Sequence, residues 1–181
     1  MRIVDVDHRL FHVQEVLPKH LVESILNIDW INLPWNKGDK QETWLRRHIT
    51  ANAHPILAEI DEYLITVQHL IENHCSIKFY TNPYTIWWLD EPGFSCSLHT
   101  DGELFSSMQL FWQSSGIQYG TKFYNSKNVS DIKYDFPFIP NSGYLMLNQA
   151  ENDYQILQWH GMPTIIPEYR LTSYTYFGNY R

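Results

Sequence analysis

From Ile77 onward the sequence breaks into short runs of aromatic and β-branched residues separated by Pro, Gly and Asn. The runs are Ile77 to Tyr80, Thr85 to Leu89, Ser95 to His99, Ser107 to Gln113, Gly120 to Tyr124, Tyr144 to Leu147, Ile156 to His160 and Leu171 to Phe177. Runs this short, rich in residues that suit a pleated surface, predict about eight strands arranged as a sandwich or double-sheet barrel. The preceding segment has another texture. Ile56, Leu57, Ile60, Tyr63, Leu64, Val67, Leu70 and Ile71 recur at steps of one, three and four, which predicts a helix of roughly 20 residues with one apolar stripe. Such a stripe must pack on something flat. Before it, Phe11 to Leu17 reads as a strand, and Pro18 opens a short helix carrying Leu21, Val22, Ile25 and Leu26. Ile31 to Gly38 reads as a loop, and the polar stretch from Glu42 to His48 shows no period. The predicted fold is mainly β with α: a jelly roll with N-terminal helices covering one outer face. It is expected to form one domain over 1–181, with a strand and supporting helices in 1–76 and the jelly-roll core in 77–181.

Composition narrows the function classes. The formal charge of -7 leaves no basic footprint for nucleic acid, which is disfavoured as a partner. Charged residues make up 18% and hydrophobic ones 44%, so the chain has the means to build a core and is not disordered. No apolar run is long enough for a membrane helix, and the start of the chain, with Arg2, Asp5 and Asp7, lacks the layout of a signal peptide. The expectation is a cytoplasmic protein with no membrane partner; its oligomeric state is not encoded in any pattern. Cys75 and Cys96 are too few for a disulfide framework or a four-cysteine zinc site, so any metal must be held by His and carboxylates.

Nine histidines are present, and His8, His12, His20, His48, His54, His69 and His74 stand among ordinary polar neighbours, where surface or capping roles suffice. His99 differs because Asp101 follows two positions later, and side chains at i and i+2 of an extended chain project to the same side. A His-x-Asp triplet alone is equally well explained as a polar strand end. His160, at the end of a later apolar run, and Arg170, opening the last strand after a loop with Gly161, Pro163 and Pro167, change its weight. Two imidazoles and a carboxylate occupy one face of an octahedral ion and leave three positions open, the facial triad associated with non-haem Fe(II) oxygenases. Two open positions can chelate a 2-oxo acid and the third can take dioxygen. The far carboxylate of a five-carbon 2-oxo acid then needs a fixed cation, for which the fork of Arg170 is suited; Thr172, of the same strand parity, can donate a further hydrogen bond.

With Pro92 and Gly93 ahead of His99-Thr100-Asp101, then His160, then Arg170 with Thr172, the sequence resembles the Fe(II)/2-oxoglutarate-dependent oxygenase superfamily, in its prolyl-hydroxylase-like branch. The resemblance covers roughly Ile77 to Phe177 and implies a double-stranded β-helix, the jelly roll of that family. It implies that His99, Asp101 and His160 bind Fe(II) and carry catalysis, and that Arg170, with Thr172, holds the 5-carboxylate of the cosubstrate 2-oxoglutarate. The implied activity is that of a dioxygenase: hydroxylation of a prolyl residue or a small metabolite, with succinate and CO2 as coproducts. Collagen-type prolyl hydroxylases usually carry Lys where Arg170 stands, which argues against collagen-like substrates, and Asp101 argues against a halogenase, in which a small residue takes that place.

Two packed sheets sit about 10 Å apart, so a cosubstrate a little over half that length can bridge metal ligands on one and an arginine on the other. Trp87, Trp88, Trp112 and Trp159 fall in predicted strands and are given no role beyond core packing or lining; Tyr174 and Tyr176 share the parity of Arg170 and line the same cavity if they do not simply favour the strand. The competing reading from another class is a non-catalytic, cupin-like jelly roll that binds a metal or a sugar, though cupins usually offer more His ligands. The loops expected to select a small-molecule or peptide substrate are Glu103 to Ser106, Ser114 to Tyr119 and Asn125 to Asn141, and their composition does not encode a molecule.

Overall fold

The strand Ser106–Gln113 is buried along nearly its whole length, which requires a layer on each side of it. Met108, Leu110 and Trp112 face one layer, and Phe111 joins a second cluster on the other. The computed structural model, which describes residues 1–37, 45–101, 106–147 and 159–180, shows what those layers are. In chain order the strands are β1 (Arg2–Asp7), β2 (Leu10–Gln14), β3 (Asn36–Lys37), β4 (Arg46–Ile49), β5 (Tyr84–Asp90), β6 (Cys96–His99), β7 (Ser106–Gln113), β8 (Thr121–Tyr124), β9 (Ile132–Phe136), β10 (Ser142–Met146), β11 (Trp159–Met162) and β12 (Arg170–Gly178). Helix α1 is Lys19–Leu26 and helix α2 is Pro55–Cys75. An eight-stranded sheet runs β1-β2-β10-β7-β12-β5-β4-β3, and a four-stranded sheet runs β6-β11-β8-β9, all paired antiparallel. This is the jelly roll.

The predicted helix is α2, and Leu57, Ile60, Leu64, Val67 and Ile71 bury against the large sheet. Leu70, on the predicted stripe, is exposed, because the contact takes only the centre of the stripe. His54 caps the helix by accepting from the Ile56 amide, Pro55 opens it, and Ser76 in the left-handed region closes it. Opposite the helices, alternate residues of the large sheet face the small one. There Leu10, Phe111, Phe123, Phe136, Phe138, Tyr144 and Met146 fill one part of the interior and Phe94, Tyr119, Met162 and Ile166 another. Gly143 marks how closely β10 approaches β7: a Cβ there would lie 1.8 Å from the Gln109 carbonyl oxygen.

Several expectations need correction. Ile77 to Tyr80 is not a strand; only Phe79 bridges to Tyr180. The Phe79 amide donates to the Glu72 carboxylate and the Tyr80 amide to the Asn179 carbonyl, so the segment is a strap behind α2. The expected loop Asn125 to Asn141 contains β9, an edge strand whose exposed Ile132 and Lys133 hide the alternation. The Phe11 to Leu17 strand ends at Gln14, with Glu15 at φ 51° turning the chain. The unassigned polar stretch yields β4, while 38–44, 102–105 and 148–158, and with them much of two predicted segments, lie outside the described residues. Among the described residues no helix is long and apolar enough to cross a membrane.

Candidate metal centre

The small sheet places the two histidines. In the antiparallel pairing of β11 with β6, His160 stands directly opposite His99, so both imidazoles project from one face. Their ring centroids are 4.4 Å apart. On its other side His160 is opposite Phe123, whose ring stacks on it at 5.2 Å, and Tyr144 meets it edge-on. Asp101, two residues past His99, points into the same space. Its Oδ1 lies 3.5 Å from His99 Nε2 and 3.7 Å from His160 Nε2. One ligand atom from each of the three residues lies within 4.8 Å of the other two.

The proton positions make this cluster informative. His99 Nδ1 is 2.9 Å from the Ser97 carbonyl oxygen, which can only accept, so Nδ1 carries the proton and Nε2 of the neutral ring presents a lone pair. A lone pair aimed at a carboxylate oxygen is repulsive unless a positive charge lies between. In a chain without metal that charge is a proton. The hydrogen bond to Asp101, aided by Cys96 and opposed by burial, raises the His99 pKa to about 10. Burial pushes the Asp101 carboxyl up, but the His99 hydrogen bond, the His160 charge and the Tyr174 hydroxyl together hold it at about 2. Three acceptors closing on one point, His99 held from behind by the Ser97 carbonyl and Asp101 by the Tyr174 hydroxyl, fit a divalent cation.

Asp101 is braced from the large sheet. Tyr174 donates its one hydroxyl proton to Asp101 Oδ2 at 2.8 Å, so the Ser107 hydroxyl, 2.7 Å from the Tyr174 oxygen, donates in turn. The chain Ser107–Tyr174–Asp101 fixes the carboxylate with Oδ1 toward the histidines. Sequence reasoning gave Tyr174 only a lining role; its parity with Arg170 was the available signal.

Beside this cluster lies a cavity of about 490 Å³ between the sheets. Arg46, Trp88, Phe94, Tyr144, Arg170 and Tyr174 are among the residues that line it together with His99, Asp101 and His160. Arg170, the first residue of β12, is 2% exposed; its Nε donates to the Tyr119 carbonyl at 2.8 Å and its Nη1 to Asp90 Oδ2 at 2.6 Å. Thr172 is fully buried, and its hydroxyl has no hydrogen-bond partner among the described residues. On β12 it has the parity of Arg170 and stands opposite Trp88 and Phe111, which both face the small sheet. The structure thus gathers His99, Asp101 and His160 at one point and sets Arg170 on the wall of the same cavity. Tyr176 lines it as well, Trp87 and Trp112 pack on the helix side, and Trp159 stands partly buried under Lys127.

Neither family models nor curated proteins yield a match to this sequence. Solved structures do. A prolyl-4-hydroxylase from Pseudomonas putida superposes with a TM-score of 0.68 at 11% identity, covering 95% of this chain and 93% of that one. A prolyl hydroxylase from Trichoplax adhaerens, solved with a hypoxia-inducible-factor peptide fragment, gives 0.67 at 10% identity over 94% and 84%. HygX from Streptomyces hygroscopicus, solved with nickel and 2-oxoglutarate, gives 0.58 at 11% identity over 94% and 83%. The fold is that of the Fe(II)/2-oxoglutarate-dependent oxygenases. Within that jelly roll, sequence reasoning missed Arg46 and Asp90, which no motif or period distinguishes. Asp90 is fully buried and accepts from Arg46 Nε at 2.5 Å and Nη2 at 3.1 Å as well as from Arg170.

Proposed function

We propose that the protein is an Fe(II)- and 2-oxoglutarate-dependent dioxygenase that hydroxylates a small organic molecule or a peptide, a prolyl residue being one candidate, with succinate and CO2 as coproducts. The observation that carries this reading is the placement of a His-Asp-His acceptor cluster and a buried arginine on the walls of one cavity. His99 Nε2, His160 Nε2 and Asp101 Oδ1 would hold the iron, leaving three positions for cosubstrate and dioxygen. Bound there, iron supplies the oxidising chemistry that puts one atom of dioxygen into succinate and the other into a substrate C–H bond.

The chain's own residues hold, orient and exclude water. Arg170, on the cavity wall, takes the distal carboxylate of 2-oxoglutarate; the Thr172 hydroxyl next to it on the same face of β12, buried and without a partner among the described residues, is the further donor the carboxylate would have to reach. Tyr174 keeps Asp101 turned to the metal. Phe94, Met162 and Trp88 provide the apolar part of the wall. The Trichoplax adhaerens prolyl hydroxylase was solved with a peptide fragment and HygX with nickel and 2-oxoglutarate, which supports this class for the chain. A cupin-like binder without turnover leaves the cationic wall opposite the metal cluster without a purpose.

Anaerobic titration of the protein with Fe(II) and then 2-oxoglutarate tests the reading through the weak visible charge-transfer band of the chelate. A band in the wild type that is lost in folded H160A and weakened in folded R170A is expected. Metal binding with no response to 2-oxoglutarate would turn the assignment toward the binding jelly roll.

A further inference from the structure

Strand register sets three charged residues in one row across the cavity wall. Asp90 on β5 is opposite Arg46 on β4 and opposite Arg170 on β12, so an Arg–Asp–Arg row crosses three adjacent strands. All three side chains meet: Arg46 grips Asp90 through Nε and Nη2, and Arg170 through Nη1. Arg46 is further clamped between two rings, its guanidinium carbon 4.3 Å from the Phe94 centroid and 5.0 Å from that of Trp88. Its side chain is 14% exposed, and it lines the cavity.

The charge balance of the row decides what Arg46 does. Arg170 and Asp90 cancel, so a carboxylate approaching Arg170 alone would meet a neutral pair and the repulsion of Asp90. Adding Arg46 leaves the row with one unmatched positive charge. The unspent donors agree with this: Arg46 Nη1 and Arg170 Nη2 have no hydrogen-bond partner among the described residues. Two free guanidinium arms flanking one buried carboxylate present the donors a second, incoming carboxylate needs.

Resting on the function proposed above, we infer that Arg46 is the second arm of the clamp on the cosubstrate's distal carboxylate and sets the selection for a 2-oxo diacid over a 2-oxo monoacid. Asp90 holds the two guanidiniums apart and fixes their planes. Arg170 supplies one arm and Arg46 supplies both the other arm and the net charge.

The test compares 2-oxoglutarate with 2-oxopentanoate, which has the same carbon chain and no distal carboxylate. Binding to Mn(II)-loaded protein is measured by calorimetry and by tryptophan fluorescence, so that no turnover is needed, in the wild type, R46Q and R46K. The wild type is expected to prefer 2-oxoglutarate strongly. R46Q is expected to lose about 10- to 100-fold in affinity for 2-oxoglutarate and less than about threefold for 2-oxopentanoate, because only the diacid reaches the residue. R46K retains the charge but not the fork, and an intermediate loss confined to the diacid is expected. If R46Q does not fold, R46K alone carries the comparison. Equal losses for both acids, or an unchanged preference, would overturn the assignment of Arg46 while leaving the oxygenase reading in place. A wild type that binds Mn(II) but neither acid would overturn both.

Discussion

Replacing Asp90 by Asn should destabilise the protein more than almost any other single polar change, because it removes the only anion in the Arg46–Asp90–Arg170 row and leaves two guanidiniums facing each other. Asp90 is fully buried and accepts three charge-assisted hydrogen bonds, at 2.5, 2.6 and 3.1 Å. An amide keeps the shape but turns two of its protons toward guanidinium protons. Breaking a buried ion pair by removing one partner costs about 3–5 kcal/mol. Arg46, whose side chain is 14% exposed, keeps some contact with water, so the lower part of that range applies, about 3–4 kcal/mol. For a chain of this length each kcal/mol moves Tm by about 2–4 °C, which predicts a fall of roughly 5–15 °C. Urea unfolding followed by tryptophan fluorescence measures the free energy, with Trp88 close to the row as a local reporter. A double-mutant cycle with R46Q isolates the mechanism: the double variant should lose less than the sum of the singles, by at least about 1.5 kcal/mol, because R46Q also removes the excess charge that D90N leaves exposed. A loss under about 1 kcal/mol in D90N, or strict additivity in the cycle, would refute the account of the row as a coupled unit.

Two further outcomes follow from groups outside that row. Glu72 accepts from Lys78, His69, the Phe79 amide and Gln68; burial pushes its carboxyl up, but those donors pull it from 4.5 down to about 2. A depressed carboxyl stabilises the fold above its unfolded pKa and stops doing so as pH falls through the folded one. Because Lys78 and His69 are 56% exposed, the stabilisation is screened to about 1–2 kcal/mol. Urea titrations should therefore show E72Q less stable than wild type at pH 7, with the gap closing between about pH 4.5 and 2; a gap that widens in acid contradicts the assignment. Y174F deletes the hydroxyl that donates to Asp101 Oδ2 and should weaken Mn(II) binding by about 10- to 100-fold in a calorimetric titration without lowering Tm by more than a few degrees. Unchanged metal affinity would remove Tyr174 from the metal centre's support.

What the sequence discloses depends on whether a residue's role is written in local spacing. His99 and Asp101 are legible because two positions along an extended chain share a side, His160 because it follows the apolar run Ile156 to Trp159 in the sequence, and Arg170 because it opens the last strand. Their convergence also depends on the β6–β11 register, which follows from pairing and not from either strand alone. Arg46 is illegible for that reason: β4 is four residues long, RRHI, and becomes a strand by pairing with β3 on one side and with β5, through Arg46–Asp90 to Ile49–Trp87, on the other. Asp90 looks like the polar end of an apolar strand until two arginines close on it from either side. The error at Ile77 to Tyr80 has the same origin in reverse. Its residues favour a strand, but the Glu72 carboxylate takes the Phe79 amide and only one bridge to Tyr180 remains.

The last strand ties the two halves of the site to one register. Arg170 at its start lies on the cationic wall, Thr172 follows, and Tyr174 braces the metal-side carboxylate, all on one face of β12. Four residues of strand span about 13 Å. One slip of a single residue would turn Arg170, Thr172 and Tyr174 away together, so the register must be locked by the other face. There Leu171 and Phe177 are buried under the helices, Trp112 Nε1 donates to Ser173 Oγ at 2.9 Å, and Thr85 and Thr175 share a hydrogen bond of 3.1 Å. The helix-facing side of β12 therefore acts on a cavity it never touches: by fixing which residues point inward, it sets the separation between the His99–Asp101–His160 cluster and the guanidiniums of Arg46 and Arg170.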